Sequence, residues 1–371
     1  MGTKKARMYF RLFEFWRLIA ALLIMLYHFS YNGPAGTAWL TEWLERLRPL
    51  LDMFFIISGF LIVFTYGDRV TDRRSYATYL IRRFARLYPL HLVTFLFFLL
   101  IGIGYHLGYL RPFGGAERYD MAQIIPNLLL IQAWGVSHEL TFNFVSWSLS
   151  AEWFSYLLLP LILVANRLAG AKGLITLLIL WIVLLETLTA LHIMPNRHWQ
   201  EADTWGAWRV FADFTAGALI CVLASRTRLT LISRWPAWLV MLAACVLMQH
   251  GVNAYYSMAV MAFAVFLAAV AERNDQTTPV YPRWLRPFAA VSFGIYLWHP
   301  VVEAVMFGLV WKRLVAPLGI VDFYAFLPLP MIITMIVAVL SYRWLEKPAG
   351  DWFLNRLGLR RPASTSAAPL I

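Results

Sequence analysis

Two ionisable residues stand inside an apolar stretch near the start of the chain: Arg17 and His28, in FEFWRLIAALLIMLYHFS, Phe13 to Ser30. A guanidinium can hold an anion or polarise a carbonyl. A neutral imidazole can take a proton from a hydroxyl or attack an acyl group itself. Such side chains are costly in lipid, so in a spanning helix they face a bundle interior and mark function. Their spacing turns a helix about 20° past three full turns, which puts both on one face, roughly 16 Å apart along the axis. Glu14 falls near that face. Two plainer readings stay open: Arg17 snorkelling to the interface beside Glu14, and His28 hydrated at the headgroup level.

Other segments carry further candidates. LDMFFIISGFLI, Leu51 to Ile62, has Asp52 at its start and Ser58 and Gly59 within it. A carboxylate suits a helix N-terminus, and a small pair suits close helix packing. IRRFARLYP, Ile81 to Pro89, presents Arg82, Arg83 and Arg86. Their forks match phosphates, while composition alone favours the plainer reading, ordinary basic flanking of a span. In WSLSAEWFSYLLLP, Trp147 to Pro160, Ser148 and Glu152 are one turn apart on one face. Glu152 either caps the helix start or turns toward something polar within the bundle, because its neighbours are apolar. FGIYLWHP, Phe293 to Pro300, places His299 before a proline expected to break or kink the helix. RWLEKP, Arg343 to Pro348, reads as an interfacial stop. The sequence has no HExxH, no Cys/His cluster at ligand spacing, no GxSxG elbow and no Walker loop, so no metal site is expected.

Composition supplies the frame that must position these residues. The chain has 371 residues, 61% hydrophobic and 14% charged, whereas soluble domains carry about 25% charged residues. An all-α polytopic membrane protein follows. Ten apolar segments approach or reach spanning length, at 10–31, 50–66, 86–107, 149–167, 171–192, 208–225, 235–250, 253–271, 288–311 and 323–345. The seventh and eighth are separated only by Gly251, Val252 and Asn253, which fits a tight helical hairpin. The basic start followed by an apolar run resembles a signal peptide. With no small-x-small cleavage site and with Arg17 interrupting the core, a retained helix is expected instead.

The basic residues set the orientation. With the N-terminus inside, most of the 32 Lys and Arg residues fall in cytoplasmic segments, among them Lys4, Lys5, Arg7, Arg82, Arg83, Arg86, Arg360 and Arg361. Both ends are then cytoplasmic. This distribution accounts for the net charge of +12 without nucleic acid. The long loop at 108–148 is expected outside, with Ile124–Trp134 as an amphipathic stretch lying on the membrane surface. Cys221 and Cys245 read as small buried hydrophobes. Residues 1–350 form one transmembrane domain, and 351–371 a short cytoplasmic tail that is expected to be disordered.

Six motifs in order resemble the membrane acyltransferase-3 family: Arg17-x10-His28; Asp52-x-Phe54-Phe55-x-x-Ser58-Gly59-Phe60; Arg83-x-x-Arg86-x-x-Pro89; Trp147-Ser148-Leu149-Ser150-x-Glu152; Gly294-Ile295-Tyr296-Leu297-x-His299; and Glu346-x-Pro348. They run from the first helix to the last. The resemblance implies an integral membrane O-acyltransferase of carbohydrates, in the bacterial inner membrane. It implies acyl-CoA, acetyl-CoA first, as co-substrate with no permanently bound cofactor. It also implies that Arg17 and His28 are essential and that Arg83 and Arg86 serve the donor; Arg82, at the same inner mouth, is a further candidate for binding CoA phosphates. On that basis Arg17, His28 and Glu152 are catalytic candidates, and Asp52, Ser58, Ser148 and His299 supporting ones. Glu152 or His299 would orient His28 or shuttle its proton. Polysaccharide assembly proteins are candidate partners. Two departures stand out: Trp153 occupies a position where many members carry a second acid, and no serine-hydrolase-like domain of the kind some members append is among these 371 residues. Whether a separate partner completes the transfer stays open. A polyprenyl-linked sugar or lipid transporter is the alternative reading, and a scaffold would leave the intramembrane charges unexplained.

Overall fold

The computed structural model describes residues 8–195, 197–201, 203–275 and 278–359. Lys4, Lys5 and Arg7, and residues 360–371 of the expected tail with Arg360 and Arg361, lie outside them. The described residues form helices and no strand. The main elements are α1 Arg11–Ser30, α2 Leu50–Tyr66, α3 Arg73–His106, α4 Trp147–Leu157, α5 Leu159–Ala190, α6 Gly206–Arg226, α7 Trp235–Gln249, α8 Ala254–Asn274, α9 Ser292–Val305, α10 Pro328–Ser341 and α11 Lys347–Arg356.

Each of the ten expected segments contains helix, but only eight helices among the described residues are long and apolar enough to cross a bilayer. Two features account for the difference. The 15 residues of α7 give roughly 22 Å, short of a core about 30 Å thick. The 32-residue α5 is two helices joined across a break at Gly170, whose φ of 58° is not helical, so the boundary expected between 149–167 and 171–192 is present inside this one long element. The hairpin between α7 and α8 forms as expected, with Gly251 at φ +63° and the Asn253 side chain accepting from the Tyr255 N–H at 3.0 Å. Along α5, Val164, Leu168, Ile179 and Val183 are exposed, as lipid-facing residues would be.

Three elements begin or end where apolar patterning does not show it. α3 starts at Arg73, well before 86, because Asp72 and Ser75 form a reciprocal capping box ahead of the apolar run. α9 continues through Pro300 to Val305 rather than breaking there, and then runs on as a π-helical segment, Met306–Val315. The chain after Glu346 continues as α11, so residues 351–356 are helical rather than disordered tail. Gly350 lets α11 lie on α3: a Cβ there would sit 2.9 Å from the Ala85 carbonyl oxygen.

Close approach at glycines also builds the core. A Cβ at Gly59 would lie 2.1 Å from the Phe214 carbonyl oxygen, and one at Gly217 would lie 1.9 Å from that of Ile56. α2 and α6 therefore touch backbone to backbone, the packing role expected for Gly59. α1 packs among α2, α8 and α9. Its first N–H groups have no cap of their own. The buried Glu272 of α8 accepts from Arg11 N at 2.7 Å and also holds Arg234 at 2.5 Å.

The 108–148 loop does not lie flat on a surface. Its Asn127 and Gln132 are buried, and their side-chain amide nitrogens and the Asn127 backbone carbonyl find partners inside the protein. Asn127 O meets His91 Nε2 at 2.9 Å, its Nδ2 donates to Thr141 Oγ1 at 3.0 Å, and Gln132 Nε2 donates to Ser146 Oγ at 3.0 Å. Burying an amide is costly unless it is hydrogen-bonded, so these bonds hold the loop into the bundle.

Candidate functional site

The face of α1 that carries Arg17 and His28 opens onto different surroundings at its two ends. Arg17 turns inward rather than snorkelling out with Glu14, whose carboxylate accepts from the Tyr281 hydroxyl at 3.0 Å. Arg17 shares a small chamber with Ser58 of α2, Arg83 and Arg86 of α3, and Glu152 and Tyr156 of α4. Its guanidinium lies 5.2 Å from the Phe54 ring centre, and its Nε has no hydrogen-bond partner. Glu152 accepts from the Tyr156 hydroxyl at 2.6 Å. Three guanidiniums face this single carboxylate, so the chamber favours an anion or a developing negative charge.

The three arginines of IRRFAR have different surroundings. Arg83 is buried: its Nη2 donates to the Tyr66 hydroxyl at 2.9 Å, and its guanidinium lies over the Tyr66 and Tyr156 rings at 5.0 and 6.0 Å. Arg82 donates to the Leu359 carbonyl at 3.3 Å. Arg82 and Arg86 line a cavity of 280 Å³ with Phe293, Gly294, Lys347 and Leu354. α11 thus supplies one wall of the basic cavity, a role invisible in the reading of RWLEKP as an interfacial stop. The chamber and the cavity share Arg83, Arg86 and Phe293.

At the other end, His28 stacks on His299, with ring centroids 5.1 Å apart and planes 21° from parallel. It is His299, and not Glu152, that sits beside His28. Both ring nitrogens of the fully buried His299 are without a hydrogen-bond partner. Phe144 packs across His28 at 4.9 Å. His28 lines a cleft of 680 Å³ together with Asn32, Glu117, Arg118, Glu139 and Glu303. The 108–148 loop contributes Arg118, whose Nε donates to the Phe142 carbonyl at 2.7 Å. Glu303 accepts from Asn32 Nδ2 at 2.8 Å. A half-open cleft with an imidazole, carboxylates and aromatic walls suits a polyhydroxylated ligand.

Asp52 joins neither end. It pairs with Arg209 at 3.4 Å, and Asp213 lies beside it. All three are buried, and Arg209 stacks over Trp147 at 5.2 Å. Sequence reading passed over Arg209 and Asp213, although their one-turn spacing in an apolar helix is the usual signal of an intramembrane pair. Glu303, one turn beyond His299, could have been found in the same way. Arg118 gave no such signal, because it reaches the cleft from a loop.

The fold and these two openings define a polytopic membrane protein with a basic pocket at one end of its bundle and a histidine cleft at the other. The chain belongs to the acyltransferase-3 family, whose acyltransferase-domain model matches residues 11–343. It is 37% identical over 153 residues to the acyltransferase MdmB of Streptomyces mycarofaciens. That match takes in 39% of this chain and 37% of the length of MdmB. No solved structure matches significantly.

Proposed function

We propose that this acyltransferase works across the membrane, taking an acyl group, acetyl first, from acyl-CoA in the basic cavity and delivering it to a hydroxyl in the His28 cleft. The acceptor is a cell-surface or lipid-linked carbohydrate. The basic end faces the cytoplasm, as the distribution of Lys and Arg argues, and the membrane is the bacterial inner membrane. The observation that carries this reading is the placement of two unlike openings at the two ends of one face of α1. Arg82, Arg86 and Lys347 are placed to meet the phosphates of CoA, and Arg17 to meet the thioester carbonyl. His28 is the general base for the acceptor hydroxyl or the transient acyl carrier, and His299 holds its ring.

The test is release of free thiol from acetyl-CoA by the purified protein in liposomes, with the acylated product located on one side or the other. Thiol release that depends on acceptor, with product opposite the donor, is the expected result. Movement of a lipid-linked sugar without any thiol release identifies a transporter instead.

A further inference from the structure

Acyl transfer from a thioester to an alcohol forms a C–O bond and breaks a C–S bond, and the proton of the alcohol must end on sulfur. On the two-ended reading above, on which this inference rests, the sulfur and the alcohol are on opposite sides of the membrane. The acyl group then crosses as the formal equivalent of an acylium. Without an internal route for the proton, each turnover consumes a proton on the donor side and releases one on the acceptor side. That moves one positive charge outward, against an inside-negative potential.

The structure places a column of exchangeable groups between the two openings. His28 stacks on His299. Tyr296, one turn earlier on α9, has its ring centroid 5.7 Å from that of His299. Tyr296 neighbours Ser148 of α4, whose hydroxyl donates to the Val145 carbonyl at 2.9 Å. Ser148 and Glu152 lie one turn apart on one face of α4, a rise of about 6 Å along the axis, so this step of the column needs a bridging water. Glu152 accepts from Tyr156, and both line the chamber with Arg17 and Arg86 that adjoins the basic cavity. A purely structural role for His299 predicts partners for its ring nitrogens, since buried polar groups are normally hydrogen-bonded. Only the Tyr296 backbone comes near, and neither nitrogen makes a hydrogen bond of normal geometry. Chains of His, Glu and hydroxyl groups are the usual proton relays of membrane proteins.

We propose that each acyl group carried outward is matched by one proton passed inward along His28, His299, Tyr296, Ser148 and Glu152 to the departing thiolate, so that turnover is electroneutral. The acceptor hydroxyl gives its proton to His28. Each relay group accepts one proton and gives one up, and the sulfur receives the last as the C–S bond breaks. An acyl-histidine intermediate leaves the same balance.

Inverted membrane vesicles from cells that make the native acceptor put the basic end outside. Labelled acetyl-CoA is added outside, and a pH dye is trapped inside. Vesicles carrying His28→Ala give the baseline. The expected result is label on lumenal product with no lumenal acidification, at a rate indifferent to a potassium diffusion potential. Tyr296→Phe then slows transfer and releases up to one lumenal proton per acetyl group, and the rate becomes sensitive to potential. Ser148→Ala gives a weaker form of the same change, and serves if Tyr296→Phe fails to insert. Lumenal label with one proton released per acetyl by the unaltered protein overturns the relay alone. Label confined to the donor side overturns the two-ended reading and the relay with it.

Discussion

The two ends of α1 solve different electrostatic problems with the same few residue types. Around Arg17, guanidiniums outnumber carboxylates, and the Tyr66 hydroxyl and the Tyr156 ring support Arg83. Around His28, one histidine lies against another, and the charges of the cleft are of both signs. A cluster with an excess of positive charge attracts a polyanion and holds it by that charge. A neutral imidazole between aromatic walls binds weakly but can move a proton. On the proposed function, affinity for the donor and chemistry on the acceptor should therefore be lost separately.

Substitutions that separate the two ends test this contrast, and the largest effect is expected at the histidine end. His28→Ala should lower the rate of transfer by about 10²–10⁴-fold while leaving acetyl-CoA affinity unchanged, as read by donor titration of the inserted protein. A wild-type rate would remove His28 from the chemistry. At the basic end, Arg82→Gln with Arg86→Gln should weaken donor binding by about 10- to 100-fold, with little change in the rate at saturating donor. Arg83→Gln should behave differently from that pair. Its fork is committed to Tyr66, so thermal stability in detergent should fall more than donor affinity. If all three arginines shift donor affinity alike, the distinction drawn from their burial is wrong.

A smaller effect tests the scaffold that both ends share. Gly217→Ala pushes a methyl group against the Ile56 carbonyl at the α2–α6 contact. It should cost about 1–3 kcal/mol of stability, measured by denaturant unfolding, and should reduce both activities together. The smallest effect lies outside the membrane, at the start of α3. Hydrogen bonds from the Ser75 N–H and the Thr71 hydroxyl hold the Asp72 carboxyl below its ordinary value of 3.8. The stabilisation is therefore present above that value and lost as the pH falls through the lower folded one. Asp72→Ala should lower the melting temperature slightly at neutral pH, and the gap from the unaltered protein should close on acidification. A gap that persists in acid would mean that the capping box contributes through something other than charge.

Much of this was legible in the sequence, for a physical reason. Lipid penalises charge, so Arg17, His28, Glu152 and His299 stood out against apolar helices, and helical periodicity put the first two on one face. Residues outside that contrast were harder to see. Arg118 reaches its cleft from a loop, where charge is unremarkable, and the α3 start and α11 lie beyond the apolar runs that mark a bilayer. The 108–148 loop looked amphipathic because the pattern of Ile124–Trp134 does not reveal that Asn127 and Gln132 have partners within the bundle.

The sequence by itself determined that the chain is a helical membrane protein, where its helices run and which side chains lipid would not accept, because those follow from local composition and period. Only the tertiary structure decided which of those side chains meet. It set His299 rather than Glu152 against His28, gave Glu152 to Arg17, closed Asp52 with Arg209 and Asp213, and made α11 a wall of the basic cavity. Such pairings depend on how α1, α4 and α9 pack on one another and on the α2–α6 pair, whose backbones touch at Gly59 and Phe214, and all of these contacts join residues far apart in the chain.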